Sequence, residues 1–231
     1  MASNRIIKPS TSPSSRSPLS SAPPSSIRLL DDHRFRALLS DQDWGRLPLA
    51  VWRRFSKRLA DGGTIIYVGE VDDVEVSRAG WWLAQAVRAI GGPLPLAYEL
   101  GAPMMVAVTE DAGCGGQIWT RICARRTGFP QVIHSCKRFQ GPTGLEEYVG
   151  FGISMALTVS VADEAICFCS AGYAFQLGRL RLQLPRRLTP GEIAVTHRDL
   201  GEGRFRFTLD VVHPRFGRLI RQSAVFREAM S

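Results

Sequence analysis

Apolar and polar residues alternate over much of residues 191–219, GEIAVTHRDLGEGRFRFTLDVVHPRFGRL, and a period of two marks half-buried strands. Phe205, Phe207, Leu209 and Val211 fall on one face, and Arg204, Arg206, Thr208 and Asp210 on the other. Gly201 and Gly203 supply the turn that makes the stretch a β-hairpin. From residue 104 onward the same reading predicts strands at 104–109, 117–126, 131–139, 145–162, 165–175, 179–184, 192–198, 204–212 and 218–226. Turns rich in Gly, Pro and Asp separate them.

Upstream the period changes. Residues 27–39 and 47–59 carry apolar side chains at helical spacing. In the second segment Leu47, Ala50, Val51, Phe55 and Leu59 form a stripe, Arg53, Arg54, Lys57 and Arg58 lie mainly off it, and Pro48 suits the first turn. Gly62-Gly63 ends that pattern, and 64–77, TIIYVGEVDDVEVS, reads as a strand. Residues 79–90, AGWWLAQAVRAI, form a hydrophobic helix closed by Gly91-Gly92-Pro93. At roughly 12 residues it is too short to span a bilayer, which takes about 20.

No βαβ alternation follows, which excludes a doubly wound parallel sheet. The pattern predicts an α+β fold: a long curved antiparallel β-sheet, bending toward a barrel, with two or three N-terminal helices packed on one face or mouth. The opening MASNRIIKPSTSPSSRSPLSSAPPSS is mostly Ser and Pro and buries too little apolar surface to offset its ordering entropy. The expected organisation is a disordered tail over 1–26 and a single domain over 27–231. The tail is basic and lacks acids, as transit peptides do, but has no legible amphipathic helix.

The net charge of +8 changes this picture little. Four of the 29 basic residues, Arg5, Lys8, Arg16 and Arg28, and none of the 21 acidic ones, lie in the first 30 positions, so half of the excess lies in that stretch. The remaining body carries an ordinary solvated surface, and a nucleic-acid partner is not expected. Arginine greatly outnumbers lysine, and its fork suits carboxylate or phosphate. Five cysteines, Cys114, Cys123, Cys136, Cys167 and Cys169, with no secretory leader, fit a reducing, cytoplasmic location. Cys167 and Cys169 share a strand face, but no further Cys/His pair completes a metal set, and neither a metal nor a cofactor is expected.

Catalytic signatures fail one by one. Gly150-Phe151-Gly152 begins like a dinucleotide fingerprint, but Met155 stands at the third glycine position and the sequence continues as a strand. Gly113-Cys114-Gly115-Gly116 reads as a hairpin turn. No GxSxG or HExxH occurs. The pairs Asp31-Asp32, Asp72-Asp73 and Glu146-Glu147 are neighbours that a strand points to opposite faces, so they are poor acid/base partners. Better candidates share a face with apolar neighbours: His197 with Ile193 and Val195, His213 in register with Val211, Trp119 with Arg121, and His134 with Val132 and Cys136. Converging in a cavity, a histidine would serve as acid or base and an arginine would hold an anion. Alternatively such side chains brace strand ends through carbonyls or Asp199.

HRDLGEGRFRF followed by VVHPRFG resembles the C-terminal signature of a bacterial family catalogued as domain of unknown function number 4166. FRALLSDQDWGRLPLAVWRRF, the helix ending GGPLP, the WTR strand, the GLEE segment and the final strand occur in a similar order, over about residues 33–227. The chain departs from the pattern in its Ser/Pro tail and at Gln222-Ser223, where an aromatic residue is expected. The family has no assigned reaction, and its members resemble domains found alone or at the end of short-chain-type oxidoreductases, whose Rossmann module this chain lacks. The resemblance implies Trp119, Arg121, Glu146, His197, Asp199 and His213 as ligand-site candidates, with Pro214 and Gly217 shaping a turn.

Three readings follow, the first leading: a non-catalytic module that binds a small molecule or lipid in a cavity beneath the sheet; an enzyme using His197 or His213 with Arg121 on an anionic substrate; and an accessory domain that docks on an oxidoreductase, or peripherally on a membrane, through Trp81-Trp82 and the 53–58 basic face. The partner is therefore a small apolar or anionic ligand, an oxidoreductase or a membrane surface, with no transmembrane segment.

Overall fold

A computed structural model describes residues 29–59, 62–89, 94–96, 99–111, 113 and 115–229. The expected tail over 1–26, the Gly91-Gly92-Pro93 stop and Cys114 lie outside the described residues. The strand-forming half of the chain closes on itself. Ten antiparallel strands run around a barrel in the order β3 (Thr64–Val76), β4 (Pro103–Asp111), β5 (Gly116–Cys123), β6 (Gln131–Arg138), β7 (Glu146–Gly150), β8 (Ile153–Ala162), β9 (Ala165–Leu177), β11 (Glu192–Gly201), β12 (Arg204–His213) and β13 (Gly217–Glu228). The long β9 pairs with β8 on one side; on the other, its first half pairs with β11 and its second half with β10 (Leu180–Gln183). Closure removes the open edges that a sheet of this length would otherwise expose. The alternation of β12 is borne out: Phe205, Phe207, Leu209 and Val211 face the interior, opposite the inward residues Ile220, Gln222, Ala224 and Phe226 of β13.

The helices cover the barrel ends. Beyond a two-stranded ribbon of β1 (Leu29–Asp31) and β2 (Lys57–Leu59), helices α1 (Asp41–Gly45) and α2 (Leu49–Phe55) lie over β8 and β11. Ser40 caps α1 by accepting the amide of Asp43 at 3.0 Å. Phe35 enters this end and meets the rings of Phe55, Phe139 and Phe168 edge-on at 5.1, 4.9 and 6.0 Å. At the other end stand α3 (Arg78–Arg88) and residues 94–96, whose backbone is held by the Gln131 amide: Leu96 N donates to Gln131 Oε1 at 2.7 Å, and Gln131 Nε2 donates to Leu94 O at 3.1 Å.

Three expectations need correction. Residues 29–39 form β1 and a 3-10 turn at Arg36–Leu38 rather than a helix. The Asp32 carboxylate accepts the amide and guanidinium of Arg34, and that local bonding competes with helix formation. The 47–59 helix ends at Phe55: Leu59 is buried as foreseen, but as a residue of strand β2. The single strand over 145–162 is two, because Gly150, Phe151 and Gly152 all take positive φ (110°, 48° and 79°) and reverse the chain.

α3 sits against β13 with no room between them. Ser77 caps the helix through Gly80 N at 3.0 Å while its own amide donates to Leu219 O at 2.9 Å. A Cβ on Gly80 would lie 2.0 Å from that carbonyl oxygen. Alanine normally stabilises a helix relative to glycine by about 1 kcal/mol. Here Gly80→Ala is expected to destabilise instead, by about 1–3 kcal/mol, because α3 must lift off β13. Urea unfolding of the variant reads the sign directly.

Candidate functional site

Strands β5, β6 and β7 place three charged side chains inside the barrel. Register puts Lys137 opposite Glu147 and Trp119 opposite Ser135, so Arg121 reaches past Ser135 to the same carboxylate. Arg121 Nη2 donates to Ser135 Oγ at 2.7 Å and to Glu147 Oε1 at 2.9 Å, and Lys137 Nζ donates to Glu147 Oε2 at 3.0 Å. The Lys137 ammonium also stands 4.7 Å from the centroid of the Trp119 ring. Lys137 and Glu147 are only 7% and 6% exposed. Burial alone would push the Glu147 carboxyl up, but the Lys137 and Arg121 cations and the Ser135 hydroxyl outweigh it and hold its pKa at about 2. Burial moves the Lys137 pKa below its ordinary value; Glu147 opposes this and Arg121 adds to it.

These three groups lie on the wall of an interior cavity of about 120 Å³, whose other lining includes Met104, Val106, Ile133, Phe168, Leu209 and Phe226. Among the described residues they are the only charged ones that line it. Two cations meet one carboxylate there, so the wall carries one positive charge in excess.

A second chamber of about 40 Å³ lies toward the Phe35 end, and Trp119 and Phe207, with ring centroids 5.9 Å apart, line both spaces. His197 belongs to this smaller chamber. It is 1% exposed, stacks on Phe205 at 4.7 Å and meets Phe55 and Phe207 edge-on at 5.2 and 4.8 Å. Its Nδ1 is buried without a hydrogen-bond partner. Burial, reinforced by the Arg54 charge, lowers its pKa from 6.5 to about 3, so the ring is neutral near pH 7. Arg54 in turn lies over the Phe205 ring at 4.4 Å and pairs with Asp199 at 2.9 Å.

The residues singled out in the sequence therefore divide. Trp119 and Arg121 line the main cavity, and His197 lines the small chamber. Asp199 anchors Arg54. Glu146 is buried but points away from its neighbour Glu147, binding Gln140 Nε2 at 2.6 Å and Arg181 Nη2 at 2.7 Å. His213 keeps the phase of Val211 but lies one position past the last residue paired with β11. There it accepts the amide of Arg215 at 3.1 Å and packs on Phe216, away from the cavity. His134 is exposed on the outer face, with Nδ1 3.1 Å from Thr120 Oγ1. Glu147 and Lys137 were missed. Strand parity was the available signal for both, since Ile133, Ser135 and Lys137 form the face opposite to Val132, His134 and Cys136.

On the outer surface Trp82 of α3 is 68% exposed and meets Trp81 edge-on at 4.8 Å. No helix among the described residues is long and apolar enough to cross a membrane. A family model described as Domain of unknown function (DUF4166) matches residues 47–226, within the span of the resemblance noted above. No curated protein matches the chain.

Proposed function

The chain belongs to the DUF4166 family, which carries no assigned activity, and from that premise we propose that it is a non-catalytic barrel holding one small, mostly apolar molecule whose polar end meets Arg121, Glu147 and Lys137. The observation that carries this reading is an interior cavity walled by aliphatic and aromatic side chains, with a single charged cluster on it. An apolar cavity near 150 Å³ takes a benzene-sized molecule, so a space of about 120 Å³ calls for a ligand of that order rather than a long-chain lipid. An acid/base enzyme would want His197, His213 and Arg121 around one point. His213 lies on the β12–β13 hairpin and His197 lines the smaller chamber, an arrangement that favours binding over catalysis.

Native mass spectrometry, with benzyl alcohol as the probe beside whatever co-purifies, tests the reading. The wild type is expected to retain one molecule per chain. Ala224→Met, which pushes a flexible side chain into the cavity from β13, is expected to lose it while still unfolding cooperatively. Equal retention by both proteins places the molecule elsewhere and overturns the reading.

A further inference from the structure

Only three of the 29 basic residues are lysine, Lys8, Lys57 and Lys137, and one of them lies inside the barrel. Glu147 already has a permanent counter-charge in Arg121, which Ser135 helps to fix. Lys137 adds a second cation that the carboxylate cannot neutralise. In a chain that otherwise favours arginine, a second guanidinium would supply the charge and more hydrogen bonds. What lysine offers instead is a nitrogen that sheds its proton and attacks a carbonyl. Burial and the Arg121 charge ease loss of the Lys137 proton, and Glu147 at 3.0 Å, an anion at rest, is the acceptor within reach for a transient transfer. Nζ lies 4.7 and 5.7 Å from the centroids of Trp119 and Phe168, two rings that line the cavity.

Resting on the binding reading above, we propose that Lys137 is a covalent ligand site at which a small apolar aldehyde condenses with Nζ to form a protonated imine. The ammonium passes one proton to Glu147, and the free amine adds to the carbonyl carbon, its nitrogen proton moving to the oxygen. The Glu147 acid then protonates the resulting hydroxyl. The C–O bond breaks, water leaves, and a C=N bond forms that keeps one proton. One aldehyde is consumed and one water released, with no oxidant or reductant required. Charge is unchanged throughout: an iminium replaces the ammonium beside the Glu147 carboxylate, so the pair survives the reaction. Walls that are mostly aliphatic and aromatic disfavour water there and so favour the condensed side of this equilibrium.

The test uses the full chain with benzaldehyde and cyanoborohydride, which reduces the imine to a stable benzyl amine, followed by peptide mapping. Unreactive benzyl alcohol serves as the competitor. The expected result is one benzyl group on Lys137, appearing at least about tenfold faster than on Lys57, because the cavity holds the aldehyde against the amine. Lys57 is the internal control, a part-exposed lysine outside the 120 Å³ cavity, paired with Glu228 at 2.8 Å. Excess benzyl alcohol suppresses the label, and Lys137→Arg, which keeps the charge, abolishes it. Benzyl alcohol bound in the cavity with Lys137 unlabelled overturns the imine and leaves the binding reading standing. Retention of benzoate without aldehyde capture also overturns it and makes the cluster an anion anchor. Neither alcohol bound nor Lys137 labelled overturns both.

Discussion

Glu147→Gln is expected to cost about 3–5 kcal/mol of folding stability at pH 7, because it leaves Arg121 and Lys137 facing each other in a buried site without their carboxylate. That is much of the margin of an ordinary domain. Lys137→Met should cost far less, since it leaves Arg121 and Glu147 as a neutral pair and removes the excess charge. Urea unfolding of the two variants checks this order, and equal losses would show that the extra cation is compensated by something other than Glu147. The acid dependence has a defined sign. The Glu147 pKa is depressed from 4.5 to about 2, so its contribution is complete above pH 4.5 and fades as pH falls toward 2. The gap between wild type and Glu147→Gln should therefore narrow below pH 4.5. It should narrow at alkaline pH as well, because Lys137 in the variant escapes the repulsion by losing its proton.

Much of the fold was legible because a barrel wall has one repeated instruction. Alternation in 204–212 named the inward face of β12, and the Gly and Pro turns separated most of the strands. What periodicity misread were segments whose end is fixed by a local polar contact or by packing elsewhere. The Asp32–Arg34 turn stops a helix at 29–39, the β1 partner turns Lys57–Leu59 into a strand, and positive φ at Phe151 divides β7 from β8. The site was less legible, and for a physical reason. A period-two pattern is read by assigning polar residues to solvent, so His134, grouped with Val132 and Cys136, became the candidate on this strand and Lys137 did not. The reverse holds, because a cation can enter the interior when a carboxylate on the next strand meets it. The argument that sequence neighbours in a strand diverge was sound for Glu146 and Glu147. It dismissed them as a catalytic pair, yet it also meant that one of the two faced inward, and Glu147 does.

His197→Phe is expected to leave stability at pH 7 equal or higher and to remove a large part of the protein's sensitivity to acid. The imidazole is packed among Phe55, Phe205 and Phe207 with a bare Nδ1, a place where a phenyl ring fits and loses no bond at that atom. Its folded pKa of about 3 lies below the ordinary 6.5, so between those values the unfolded chain binds a proton that the folded barrel refuses. Stability from this group is complete above pH 6.5 and falls by about 1.4 kcal/mol for each pH unit below it, roughly 5 kcal/mol in all by pH 3. Urea midpoints from pH 7 to pH 5 separate the outcomes: wild type should fall steeply while His197→Phe stays nearly level over this range, above the region where Glu147 gives way. Parallel curves would mean that His197 takes its proton in place, and the small chamber would then offer a charge of its own. A neutral His197 removes that alternative, and the polar end of a ligand is drawn to the excess charge at Arg121 and Lys137.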